Sequence, residues 1–187
     1  MRHPEKLKKA LLDHLKDAGI AFSQVQDESM RERAVAKFSF DPGTPACILC
    51  GTFTDRVKEL ICIAHEAGHV MVHKEMNREE TRNYICTMFA ANKMGLGKIA
   101  PFAQAFVLET EARSSARGMA LLRKIGIADG DLSTVRKLMS QWYASYEKQC
   151  EEAIVKNVRK KIMLDRNPAI VWEAIQEYSA PSVLNIQ

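Results

Sequence analysis

No run of apolar residues in this 187-residue chain approaches the ~20 that a membrane-spanning helix needs. The opening residues, MRHPEKLKKALLDHLKDAG, are charged throughout and lack the apolar stretch of a secretory leader. A cytoplasmic protein with no membrane partner is therefore expected. Clustered charge is missing too. The formal net charge is only +4, with lysines and arginines spread along the chain, which gives no basis for nucleic-acid binding. The densest basic run, KNVRKK at 156–161, lies in a helical pattern and reads as a solvated face.

Paired cysteines are also absent. The five, at 47, 50, 62, 86 and 150, are odd in number and fit reduced thiols better than a disulfide framework. The sole CxxC, CILC at 47–50, sits in a strand-like stretch where positions i and i+3 point to opposite faces. With no second CxxC to complete a four-cysteine site, these read as structural cysteines. Internal repeats and low-complexity linkers are lacking as well. One domain over 1–187 is expected, with an N-terminal helical segment (1–35), a motif-bearing core (36–125) and a C-terminal helical segment (126–187).

What is present is mostly helix signal. Leu7, Leu11, Leu12 and Leu15 recur at helical spacing and stop at Gly19. AVAKFSF, DPGTP and ACILCG then read as strand, turn and strand, a hairpin. Thr52 or Thr54 is positioned to cap a helix running to Glu75. Further helices are expected over 80–94, over 101–125 with Pro101 in the first turn, from Ser133 or Thr134 to 164, and briefly after Asn167-Pro168. The fold class is α+β, predominantly α-helical, with a small β-hairpin ahead of a central helix.

That central helix carries ICIAHEAGHVMVHK, residues 61–74, with three of the five histidines four residues apart. His65-Glu66-Ala67-Gly68-His69 is an HExxH motif. On a helix, i and i+4 lie one turn apart on nearly the same face, so His65 and His69 can reach one zinc ion. Glu66 is placed to take a proton from a metal-activated water, as general base. The flanking residues are apolar nearly all round, and buried imidazoles and a carboxylate without a partner would be costly. His73 lies about 12 Å along the axis from His65, too far for the same ion.

A third ligand is needed. Counting residues across the connections brings 106–110 to the level of the histidines. Glu109 is preferred because it shares a helical stripe with Ala105, Ala112 and Ala116, small residues that permit close packing. Glu111 is held in reserve, and Cys86 is a weaker alternative. Tyr84, His73, Tyr143 and Tyr146 are candidates to stabilise the oxyanion of an attacked carbonyl. An extended substrate is expected to pair with a sheet edge formed by the strand at 46–51.

Over residues 36–95 the chain resembles zinc metallopeptidases of the HExxH (zincin, gluzincin-like) type. It is most similar to the ImmA/IrrE-like group, on the strength of AHEAGHVMVH followed by a helix with MFAANKM. In that group the metal-binding glutamate falls four residues before the phenylalanine. That position is Ile85 here, so either the ligand has moved to the next helix, as Glu109, or the site is incomplete. The resemblance implies an α+β domain, one zinc ion, water-promoted catalysis and cleavage of an intracellular, often regulatory, protein. The alternative is a catalytically inactive zincin-fold interaction module or regulator of a mobile element, for which Trp142, Tyr143 and Tyr146 would offer a partner surface.

Overall fold

The computed structural model describes residues 1, 3–38 and 45–150. Most of the DPGTP turn, the expected helix beyond 150, the helix after Asn167-Pro168 and the basic run at 156–161 lie outside the described residues.

The first helix, α1 (Pro4–Asp17), buries Leu11 and Leu15 and ends before Gly19, whose φ of 67° suits glycine. Three short strands follow: β1 (Ala21–Gln24), β2 (Ala34–Lys37) and β3 (Cys47–Cys50). They form one sheet in the order β1-β3-β2, with β1 parallel and β2 antiparallel to β3. The expected hairpin strands are therefore present, and β1 is added to them. The structure corrects the expected substrate edge: β3 lies in the middle of the sheet, and β2 and β1 are the edges. Within β3, burial alternates so that Cys50 is enclosed and Cys47 half-buried, and all five cysteines are free.

Between β1 and β2 the backbone passes through Glu32 at φ 56°. Its carboxylate accepts from the Thr54 amide and hydroxyl, both at 2.8 Å, and from Lys58 at 3.0 Å. The Thr54 amide first, then Lys58, hold that carboxyl down to about 2. These bonds join the turn ahead of β2 to the start of the central helix, α2 (Arg56–Glu75). The residue capping α2 is Asp55, not a threonine; its carboxylate accepts from the amides of Val57 at 2.8 Å and Lys58 at 3.2 Å.

Helix α2 is buried on most sides, from Leu60 and Ile61 to Val70 and Val72, as its all-round apolar sequence requires. It packs on β2, β3 and α1. The two helices run parallel: Lys8 reaches the fully buried Glu59 at 2.7 Å near their N-terminal ends, and Lys74 donates to the Ala18 carbonyl at 2.8 Å near their C-terminal ends.

Helix α3 (Arg78–Met94) starts two residues earlier than expected because Asn77 and Glu80 form a reciprocal capping box. A 3-10 turn, Leu96–Lys98, leads to α4 (Pro101–Lys124), and α5 (Asp129–Glu147) follows. α5 begins before Ser133, since Asp129 and Asp131 favour a helix N-terminus. It ends at Glu147 rather than running on. Near that end Ser145 Oγ donates to the Trp142 carbonyl at 2.6 Å and Gln149 to the Ser145 carbonyl at 3.1 Å, so side chains compete for helix acceptors.

The contacts group the chain into two compact units. The first comprises Met1–Met76 and Ala112–Gln141, with the sheet, α1, α2, the second half of α4 and most of α5. The second comprises Asn77–Glu111 and, of the remaining described residues, 142–150. Its core holds Leu96, Ile99, Ala103 and Val107, with Tyr146 and Cys150 packed against them. The boundary between units falls inside the unbroken helix α4, directly after Glu111. No helix among the described residues is long and apolar enough to cross a membrane.

Candidate metal centre

Two glycines decide how α2 meets the second half of α4. A Cβ at Gly68 would lie 2.0 Å from the Ser114 carbonyl oxygen, and one at Gly118 would lie 2.7 Å from that of Ala64. The backbones therefore approach as closely as backbones can, and only glycine fits at either place. The pairing of 68 with 114 and 64 with 118 makes the two helices antiparallel. Glu75 extends the contact, reaching Arg117 at 2.7 Å and Arg113 at 3.5 Å.

This register turns one stripe of α4 toward the motif: Glu111, Ser114, Ser115 and Gly118, spaced i, i+3, i+4 and i+7. His65 and His69 sit opposite, 6% and 7% exposed. Their rings stand edge to face, with centroids 4.8 Å apart at 89°. The two Nε2 atoms are 3.2 Å from each other. On the far side of each ring, Ser115 Oγ lies 3.2 Å from His65 Nδ1 and Ser114 Oγ lies 3.0 Å from His69 Nδ1. A carboxylate oxygen of Glu111 completes the group; the three ligand atoms all lie within 4.8 Å of one another.

The donor set fits zinc. Two nitrogens at ~2.05 Å from one ion, at the tetrahedral angle, stand about 3.3 Å apart, close to the 3.2 Å between the two Nε2 atoms. Two imidazoles and one carboxylate are also the donors of a catalytic zinc site, with a fourth position for water. A single divalent ion can be held by His65, His69 and Glu111.

The carboxylate in this group is Glu111's, not that of Glu109, the preferred choice from sequence. The reason is rotational. Residues two apart on a helix point about 200° apart, so only one of the pair can face α2. The stripe chosen for Glu109 turns out to leave Ala112 and Ala116 exposed to solvent. The stripe that packs is the one with two serines and a glycine, and that signal was present in ETEARSSARG. Cys86 is exposed on α3 and is not in the group.

Glu66 lies one residue round α2, half-buried, and its Oε2 accepts from the Ala36 amide of β2 at 2.8 Å. The motif's glutamate is thus anchored at the sheet's edge strand. One turn before it, burial and then the charge of Glu66 push the Cys62 thiol up to about 12, leaving it protonated and inert. His73 stacks on Phe38, with centroids 4.3 Å apart and planes 21° apart, and burial holds its pKa below the ordinary value. Among the other oxyanion candidates, Tyr84 is buried edge-on against Phe106, Tyr146 packs into the second unit's core, and Tyr143 is half-buried on α5.

Comparison of the chain with protein-family models, with curated proteins and with solved structures returned no significant match.

Proposed function

We propose that the protein is a zinc-dependent endopeptidase of the zincin type, hydrolysing a peptide bond in an intracellular protein. The observation that carries this reading is the convergence of one ring nitrogen each from His65 and His69 with a Glu111 oxygen, all within 4.8 Å of one another and one residue from the anchored carboxylate of Glu66. Bound zinc supplies Lewis-acid polarisation of a water molecule and of the scissile carbonyl.

The chain's own residues do the rest. His65, His69 and Glu111 hold the ion through neutral imidazoles and one charge. Glu66 takes the proton from the attacking water and passes it to the leaving amine. Its bond from the Ala36 amide aims the carboxylate. β2 is an edge strand, so an extended peptide can add to it beside Glu66.

Elemental analysis of the purified protein tests the site. About one zinc per chain is expected in the wild type, Glu66→Gln and Glu109→Ala, and none in His65→Ala. Glu111→Ala should lose or sharply weaken the metal. On a peptide library, Glu66→Gln should lower cleavage by at least roughly 100-fold. No zinc in the wild type, even after it is supplied, sinks the reading. Zinc without cleavage of any peptide leaves a non-catalytic zincin-fold interaction module.

A further inference from the structure

Ser114 and Ser115 stand in the middle of α4, where serine is a mediocre helix former. Mid-helix serines commonly turn back to the carbonyl one turn earlier or out to water. These two turn to the motif histidines instead. Ser114 is fully buried, and a buried hydroxyl without a partner is costly. Consecutive helix positions point about 100° apart, which lets adjacent serines serve two histidines one turn apart on the facing helix.

The reach of a serine is short. It suffices because Gly68 and Gly118 bring the backbones together, with the Ser114 carbonyl itself at the place a Gly68 Cβ would take. A longer side chain at 114 would have no room, and a wider helix spacing would leave the hydroxyls out of reach. The glycine contact and the serine pair are thus two parts of one arrangement.

We infer that Ser114 and Ser115 are the positioning residues of the metal centre: their hydroxyls accept from Nδ1–H of His69 and His65 and so fix both rings with Nε2 lone pairs toward the ion. The inference rests on the zinc reading of His65, His69 and Glu111 and specifies how this chain enforces it. A neutral imidazole carries its one proton on either nitrogen, and the bond at the far nitrogen decides which is free to bind metal. Hydroxyl acceptors add no charge to the site, so its formal charge is set by Glu111, Glu66 and the ion.

The test is zinc affinity by chelator competition, together with long-range proton–nitrogen correlation spectra of the zinc-loaded protein. Ser115→Ala and Ser114→Ala should each weaken zinc by roughly 10- to 100-fold, and Ser115→Thr, which keeps the hydroxyl, should stay within a few-fold of wild type. The wild-type spectra should show both rings protonated at Nδ1 and metal-bound at Nε2. Wild-type affinity in both alanine variants overturns the inference while leaving the zinc site standing. So does a zinc-loaded wild type with Nε2 protonated on either ring, a measurement that needs no variant to fold. A wild type that binds no zinc overturns the zinc reading, and this inference with it.

Discussion

Gly68 shows how much one residue decides. It lies inside the HExxH motif, at one of the two positions the motif leaves open, and no ligand role is assigned to it. Its missing side chain is what admits the Ser114 carbonyl, 2.0 Å from where a Cβ would be. The obstacle is backbone, which cannot rotate away. Gly68→Ala is therefore expected to force α2 and α4 apart and to destabilise the protein by about 1–3 kcal/mol. It should also weaken zinc, since His69 and Ser114 would separate. Gly130 is the matched control: it lies in the first turn of α5, and a Cβ there would meet nothing within 4 Å. Gly130→Ala should be neutral or slightly stabilising. Urea denaturation of both variants, with chelator competition on Gly68→Ala, checks the contrast; equal stabilities would mean that the helix contact gives way without cost.

At the scale of elements, what was legible in the sequence was local. The apolar run around HExxH announced a buried helix, and the leucine spacing in α1 announced an amphipathic one. Asp55 caps the helix one residue past Thr54 and three past Thr52, a shift of the size that helix ends commonly show. β1 was not legible. AFSQ has no alternation worth the name, and it is a strand only because it pairs in parallel with β3 more than 20 residues away. Ranking Glu111 behind Glu109 has a related reason, since Glu111 is the carboxylate grouped with the histidines. Its depth depended on counting through two connections, and its rotation on which stripe packs, and an error of two residues on a helix reverses the face. The buried Lys8–Glu59 pair was equally invisible, because Glu59 looks like one more charged residue in a helix's first turn. It joins α1 to α2, with Arg56 at 3.0 Å on the other carboxylate oxygen. Removing Lys8 alone leaves a fully enclosed charge only partly compensated. Lys8→Met should cost about 3 kcal/mol, and the double variant Lys8→Met, Glu59→Leu should cost less than the single. Denaturant midpoints of the two decide it; a Lys8→Met protein as stable as wild type would show that α1 is held by its leucines alone.

At the scale of the whole molecule, the candidate ligand residues come from segments far apart in the chain, and both compact units are assembled from discontinuous pieces. The candidate donors at 65, 69 and 111 come together only in the folded state. An unfolded chain offers zinc at most the flexible HExxH pair and scattered thiols, so binding should favour the native state strongly. At free zinc 100-fold above Kd, the native state gains about 2.7 kcal/mol. For a chain of this length each kcal/mol is worth roughly 2–4 °C in Tm. Zinc should then raise the wild-type Tm by about 5–11 °C, and a chelator should reverse the shift. His65→Ala should show almost none of it, while Glu109→Ala should respond as wild type does, because its carboxylate lies outside the metal group. Scanning calorimetry with and without zinc on these three proteins separates site binding from general effects of the metal. A shift of equal size in His65→Ala would mean that zinc stabilises the fold from some other place.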